Sequence, residues 1–316
     1  TPNLLVMAPD YVNPITHQFS LNLEARVASN MSVTLGYLAV HGSHLTRTRD
    51  INLFPAEPVA GTLAGAPVTF FRHPGTTGPA RPNPAFGRIS YSDSGADSLY
   101  HGGFVTLTRR YSRNFQFLAS YTWSKVIDSV PDQTAVVVPL DDAKLVQNTL
   151  LPNLDRGLGD ADIRQRFTVS GVWDIDYAKS LASPLARGLL VGYQVSLITV
   201  VQSGRPFSAT VNNDPNNNST TATDRPPFVG RNTIEGPGFA TVDMRVSRDI
   251  PLRERLRLRI IVEAFNLTNR ANFSNFNRGQ YTFNAATRVF APTTNFLVRT
   301  GSADPRILQL AAKISF

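Results

Sequence analysis

The residues with the clearest metal-binding spacing are Asp214, Asn216 and Asn218. They set out the D-x-N-x-N start of an oxygen-ligand calcium loop within NNDPNNNSTTATDRP (212–226). The sixth position is Ser219 where Gly is needed and the twelfth is Arg225 where Glu is needed. The segment therefore reads first as a polar surface loop, and weak calcium binding would need ligands from another loop. His41 and His44 are spaced i and i+3 at the end of a strand, with no Cys and no carboxylate cluster beside them, which favours part of a loop over a metal site. Asp128, Asp132, Asp141 and Asp142 form an acidic group that suits a cation, and solvated loop carboxylates explain them as well. There is no G-x-S-x-G elbow, H-E-x-x-H pair, Walker loop or complete G-x-G-x-x-G; Gly157-Leu158-Gly159 is only a fragment of the last. Asp160 and Asp162 precede a strand and read as loop caps. The absence of Cys removes thiolate metal sites, cysteine nucleophiles and disulfides. These residues point to a protein that is not an enzyme and needs no cofactor.

Charge narrows the partners. The 316 residues hold 31 Lys+Arg against 23 Asp+Glu, a net charge of +8, yet only 17% of the chain is charged. Soluble domains average about 25%. The basic residues are scattered singly or in pairs such as Arg109-Arg110, and the densest group, Arg253 to Arg259, alternates with Leu. No basic face for nucleic acid results. The most apolar stretch, Gly188 to Val201, is interrupted by Gln194 and Ser196, so no membrane-spanning helix is expected. Barrel strands carry a far weaker signal and stay open as a possibility. The opening TPNLLVMAPDYVNP lacks the basic and apolar regions of a signal peptide.

The elements that must position these residues are strands. Wherever the chain is periodic, the period is two. Phe19, Leu21, Leu23, Ala25 and Val27 alternate with Gln18, Ser20, Asn22, Glu24 and Arg26. Eight further segments do the same: 33–39, 105–111, 115–123, 167–177, 191–197, 240–246, 256–264 and 308–316. Their connections alternate in length, with short turns near 28–31, 112–114, 178–187 and 248–254 and long polar loops near 42–99, 125–161, 203–237 and 267–304. Structureless loops beyond about 12–15 residues are rare in compact soluble domains. Four of them on one side predict an asymmetric outer-membrane barrel, with short periplasmic turns and long extracellular loops. Phe115 to Trp123 covers about 26 Å along a strand, or about 20 Å of height at a tilt of roughly 40°, close to the ~25 Å apolar band of such barrels.

Specific motifs strengthen this reading. YSRNFQFLASYTWSKVI (111–127), DADIRQRFTVSGVWDI (160–175), ATVDMRVSRDIPL (240–252), VEAFNLTNRANF (262–273) and the ending PRILQLAAKISF occur in this order. Together they resemble the outer-membrane TonB-dependent receptors, specifically the Oar-like, carboxypeptidase-regulatory-domain-containing group of acidobacteria. One departure is Gln165, where the group is expected to have His before the Arg-Phe pair.

The resemblance implies an all-β fold, a transmembrane antiparallel up-and-down barrel of about 22 strands with a plugged lumen. Residues 1–316 would form its C-terminal nine or ten strands, without plug domain or TonB box. The implied function is active uptake of a large nutrient, such as a siderophore, glycan or peptide, across the bacterial outer membrane. The implied partners are the outer-membrane bilayer, the missing N-terminal strands and plug, TonB through the missing N-terminus, and the barrel-assembly machinery. That machinery would read Leu310, Ala312, Ile314 and the terminal Phe316. Glu24, Arg26, Arg110, Arg166, Asp174, Arg245, Arg257, Arg259, Glu263 and Lys313 lie on polar faces that would point into the lumen toward plug or substrate. Other readings of the same strands are a shortened form that stands alone or pairs with another chain, a passive pore or adhesin, or a soluble β-rich binding module.

Overall fold

Alternating apolar and polar residues can bury or expose whole faces only as strands, and the chain does so nine times. In the computed structural model, which describes residues 1–129, 146–149, 151–175, 177–180, 182–221, 224–253 and 256–316, nine long strands lie side by side in chain order. They are β1 (Ile15–Ala28), β2 (Met31–Asp50), β3 (Ile89–Ser112), β4 (Phe115–Asp128), β5 (Gln165–Ile175), β6 (Tyr193–Gln202), β7 (Phe239–Pro251), β8 (Arg257–Phe265) and β9 (Ile307–Ser315). Each is antiparallel to its neighbours. Every strand expected from periodicity is present. Two short segments join the sheet, Leu4–Met7 parallel to β3 and Gly157–Leu158 antiparallel to β4. Asp132, Asp141 and Asp142 lie outside the described residues.

A slip of one residue would turn a strand's apolar side to the other face, so the register shows what each face is. Leu23, Leu35, Val105, Tyr121, Phe167, Val201 and Ala240 stand opposite one another across β1 to β7. One step along, Glu24, Thr34, Thr106, Ser120, Thr168, Val200 and Thr241 form the matching row on the other face. There the Thr106 and Ser120 hydroxyls hydrogen-bond at 3.0 Å. The apolar face is bare: Leu21 is 64% exposed, Trp123 62% and Leu310 81%. An apolar surface of this extent needs an apolar medium or partner over it. On the polar face the Phe104 ring lies across Gly36, where an added Cβ would come 2.0 Å from it, so a larger residue there would have to displace the ring.

At one end of the sheet the connections are short, as expected: Ala28 to Met31, Ser112 to Phe115 and Pro251 to Arg257. The fourth, expected as a plain turn over 178–187, instead contains a 3-10 turn (Tyr177–Ser180) and the helix α1 (Pro184–Leu190). Ser183 caps that helix and Pro184 occupies its first turn, a combination that favours helix initiation.

The opposite end departs most from expectation. The long connections are folded, not irregular loops. β2 and β3 run on as a paired ribbon to Asp50 and Ser90, far beyond their alternating segments. His41 accordingly lies inside β2, opposite His17 and Leu99, and not in a loop; His44 sits at the irregularity between Gly42 and Leu45 with φ of +57°. Segments from three connections form a separate five-stranded sheet in the order Thr210–Asn212, Gly279–Asn284, Val289–Pro292, Glu57–Leu63, Ala66–Arg72. Its buried cluster is Val68, Phe70, Val211, Phe283 and Phe290. Phe70 meets Phe290 edge-on at 5.1 Å, a favoured aromatic geometry. This small sheet is called the cap below.

Candidate functional site

Backbone that leaves a sheet must find other partners for its polar groups, and the base of the cap is where buried charges supply them. Asp128, at the end of β4, is buried and paired with Arg231, which also reaches Asp160 at 3.3 Å. It is not the solvated loop carboxylate expected from sequence. Arg225 pairs with buried Asp155 at 2.5 Å, and Arg81 with Asp50 at 3.0 Å. Asp93 binds both Arg47, at 3.1 Å, and Arg49, at 2.7 Å. Asn52 donates from one amide nitrogen to the carbonyls of Asn83, Phe86 and Gly87 at 3.0, 3.1 and 2.8 Å. Asp162 accepts the Val126 N–H at 2.6 Å, the capping role its position suggested.

The calcium candidates are engaged with their own backbone. The Asp214 carboxylate accepts the N–H groups of Asn218 and Ser219 at 3.0 and 2.8 Å. The Asn216 carbonyl oxygen accepts Asn218 N–H at 3.2 Å, and that of Asn218 accepts Thr220 N–H at 2.8 Å. These are turn-forming bonds of the Asx kind. Asn216 also donates to Asp224 at 2.5 Å. Burial pushes the Asp224 carboxyl well above its ordinary range, the Asp214 charge adds to this, and Arg225 and Arg72 oppose it. Arg72 donates to the carbonyls of Asp214 and Pro215 at 2.9 and 2.8 Å, and burial lowers its pKa. Among the described residues no three His, Cys, Asp or Glu side chains gather as a metal site.

A cleft of about 680 Å³ opens where the cap meets the ends of β6 and β7 away from the short turns. Gln202 and Phe239, the last and first residues of those strands, form its floor, and four arginines line it: Arg205, Arg225, Arg231 and Arg278. Arg225 and Arg231 are buried and ion-paired, whereas Arg205 and Arg278 are exposed and have no carboxylate partner among the described residues. Phe207 and Phe276 stack in parallel at 5.8 Å, with the Arg278 guanidinium 5.9 Å from the Phe207 ring. Flat aromatic surface beside free guanidinium donors suits planar or multidentate anions. None of these four, Arg205, Phe207, Phe276 and Arg278, was singled out from sequence. They sit in aperiodic segments, and only the clustering of Arg with Phe marks them.

The ten polar-face residues do not gather at this cleft. Arg166 comes nearest: it stands opposite Gln202 across β5 and β6, beside the floor. Arg245 faces Glu263 at 3.7 Å in mid-sheet. Near the short turns, Arg259 makes a two-pronged contact with Asp249 at 2.7 Å, and Lys313 stands opposite Arg259. Asp174 accepts from the Tyr111 hydroxyl at 2.5 Å and the Gln194 amide at 2.8 Å. Arg26 donates to the Ala28 and Ser29 carbonyls at 3.1 and 2.6 Å and so clamps the first short turn. Glu24, Arg110 and Arg257 are exposed. At the C-terminus Leu310, Ala312 and Ile314 share the apolar face through their register with Val262, Ile260 and Leu258, and Phe316 is fully exposed.

A family described as "Outer membrane beta barrel domain" matches residues 1–230 and 227–309. Solved structures similar to the chain include the outer-membrane transporter YddB from Escherichia coli, at 9% identity and a TM-score of 0.49 over 97% of this chain and 33% of that one. The ferripyoverdine receptor of Pseudomonas aeruginosa matches at 10% identity and a TM-score of 0.47, over 95% of this chain and 27% of that one. The siderophore receptor PirA from Acinetobacter baumannii matches at 11% identity and 0.47, over 96% and 32%. The chain thus spans a third or less of these structures. No curated protein matches it.

Proposed function

Because the chain belongs to the outer membrane beta barrel domain family, its apolar face meeting lipid in the outer membrane, we propose that it is the wall and outer cap of a transporter that captures large anionic nutrients. The observation that carries this reading is the arginine-lined cleft at the outer end of the polar face, floored by Gln202 and Phe239 and flanked by the Phe207–Phe276 stack. Arg166 and the polar rows below it would line the lumen, where they meet a plug or the passing substrate.

The ordered motifs that resemble Oar-like TonB-dependent receptors support energy-driven uptake over a passive pore. On this reading residues 1–316 are one section of a longer receptor. Further strands, a plug and a TonB contact come from other parts of it, and the C-terminal apolar residues through Phe316 guide assembly. Among the described residues no further strand pairs with the long edges of β1 and β9, which agrees with this, since exposed edges otherwise promote aggregation. The protein would then bind and move its substrate without altering it chemically.

The test is uptake of anionic nutrients by cells carrying the full-length protein, with and without a protonophore. Energy-driven transport stops when the proton gradient collapses. Continued uptake at the same rate would favour the passive-pore reading.

A further inference from the structure

The connection between β5 and β6 leaves apolar side chains bare at the short-turn end of the wall. In α1, a helix of seven residues, Leu185, Leu189 and Leu190 are 81%, 64% and 52% exposed. Leu185 and Leu189 stand four residues apart and so share a face. Half-buried Ala186 and Leu190 adjoin that face, and exposed Arg187 projects on the far side of the helix. The segment from 177 to 191 carries Lys179 and Arg187 and no acid. The helix is thus amphipathic, with a cationic polar side.

Its place on the wall is fixed from two directions. Only Val191 and Gly192 separate it from β6. Gly192 has φ of +85°, and a Cβ there would come 2.7 Å from the Asp249 carbonyl oxygen, so the chain enters the sheet through a tight turn. From the other side the Arg248 guanidinium donates to the Gly188 carbonyl of the helix while lying 5.0 Å from the Tyr193 ring. Tyr193 and Arg248 stand opposite each other, between Ile175 and Ile260, on the apolar face of the wall. Eight residues farther along the same face the matching pair is Val201 and Ala240. That distance is about 26 Å of strand, or about 20 Å of height at a tilt of roughly 40°. The tether therefore holds α1 at the margin of the lipid-facing band. Tyr193 and Trp173 lie on that margin, and such rings settle at the membrane–water interface.

We propose that α1 is an interfacial helix resting in the periplasmic leaflet of the outer membrane, with its leucines among the acyl chains and Arg187 among the phosphate headgroups. Short turns mark the periplasmic end of barrels of this kind. Amphipathic helices with a cationic side bind such interfaces through buried apolar area and attraction to anionic lipid. Phospholipid is favoured over a protein partner because the tether sets the leucines beside a surface that already lies in lipid. Held at Gly188 and Gly192, the helix fixes the depth at which this part of the wall sits. The inference rests on the lipid-facing wall and is independent of what the barrel transports.

The test uses the full-length protein in nanodiscs of phosphatidylethanolamine and phosphatidylglycerol. Single spin labels are placed on Leu185→Cys, Leu189→Cys or Arg187→Cys, and on Ala119→Cys of β4 as a lipid-facing reference. Access of oxygen, which concentrates in the bilayer, is compared with access of a water-soluble nickel chelate. The ratio of oxygen to nickel access at positions 185 and 189 should exceed that at 187 severalfold and approach that at 119. Should either leucine variant fail to assemble, Leu190→Cys should show the same preference for oxygen. Nickel access at 185 and 189 equal to that at 187 would mean that the helix hangs in water. Shielding from both reagents would mean that protein, either another partner or a second copy, covers it. Each of these results would overturn the assignment, and nickel access at 119 as well would overturn the lipid-facing wall with it.

Discussion

Arg225 and Asp155 show how two of the long connections are held to each other: both side chains are almost wholly buried, 2.5 Å apart, and Asp155 also accepts the Gln147 N–H at 2.8 Å. Removing one member of a buried pair typically costs about 3–5 kcal/mol because the other charge stays desolvated. Arg225→Met should therefore loosen the outer segments while the wall persists, seen as new protease cuts in the cap with the strands still protected. Asp224 gives a pH signature. Its folded-state pKa lies above that of the unfolded chain, chiefly through burial. Its contribution to stability is therefore fully present below the ordinary aspartate range and is lost as pH rises through the raised value. Thermal stability of the cap should fall as pH rises from about 4, and Asp224→Asn should flatten that trend. The exposed Arg205 and Arg278 bear on binding instead. Each alanine variant should weaken capture of an anionic ligand about tenfold, within the range for hydrogen bonds to charged groups, with no change in cap stability; titration calorimetry separates the two effects.

The nine wall strands were legible because half-exposed strands must alternate, and Gln165 to Ile175 or Ile307 to Ser315 do so almost without a break. The cap was not legible. Its strands are short, and two of its pairings are parallel contacts between segments far apart in the chain, Thr210–Asn212 with Gly279–Asn284 and Val289–Pro292 with Glu57–Leu63. Each connection donates only one or two core residues, so no local period reveals them. The same reason hid Arg205 and Arg278, whereas Arg166 was found because it lies in a periodic strand. The two sheets should also fail separately. Phe283 is 1% exposed within the cap cluster, and Phe→Ala in a core costs about 3–5 kcal/mol. Phe283→Ala should raise hydrogen exchange across the cap strands and leave β4 to β9 protected. Loss of protection in both sheets together would mean that they fold as one unit.

At the scale of the molecule, one feature accounts for the low charge content, the bare apolar face and the family match: a sheet wet on one side and lipid-covered on the other. A soluble β-rich module would have to bury Leu21, Trp123 and Leu310 against protein, and among the described residues nothing covers them. The absence of Cys from the chain makes the decisive measurement simple. Single cysteines are placed at successive positions of β4, Ala119, Ser120, Tyr121 and Thr122, in the full-length protein freed of any other cysteine and assembled in outer membranes. Each is then exposed to a membrane-impermeant thiol reagent and to a lipid-dissolved quencher. Positions 120 and 122 should react from water, and positions 119 and 121 should respond only to the lipid-borne probe. Equal reaction at all four positions, or recovery of the protein in buffer without detergent, would contradict a lipid-facing barrel wall.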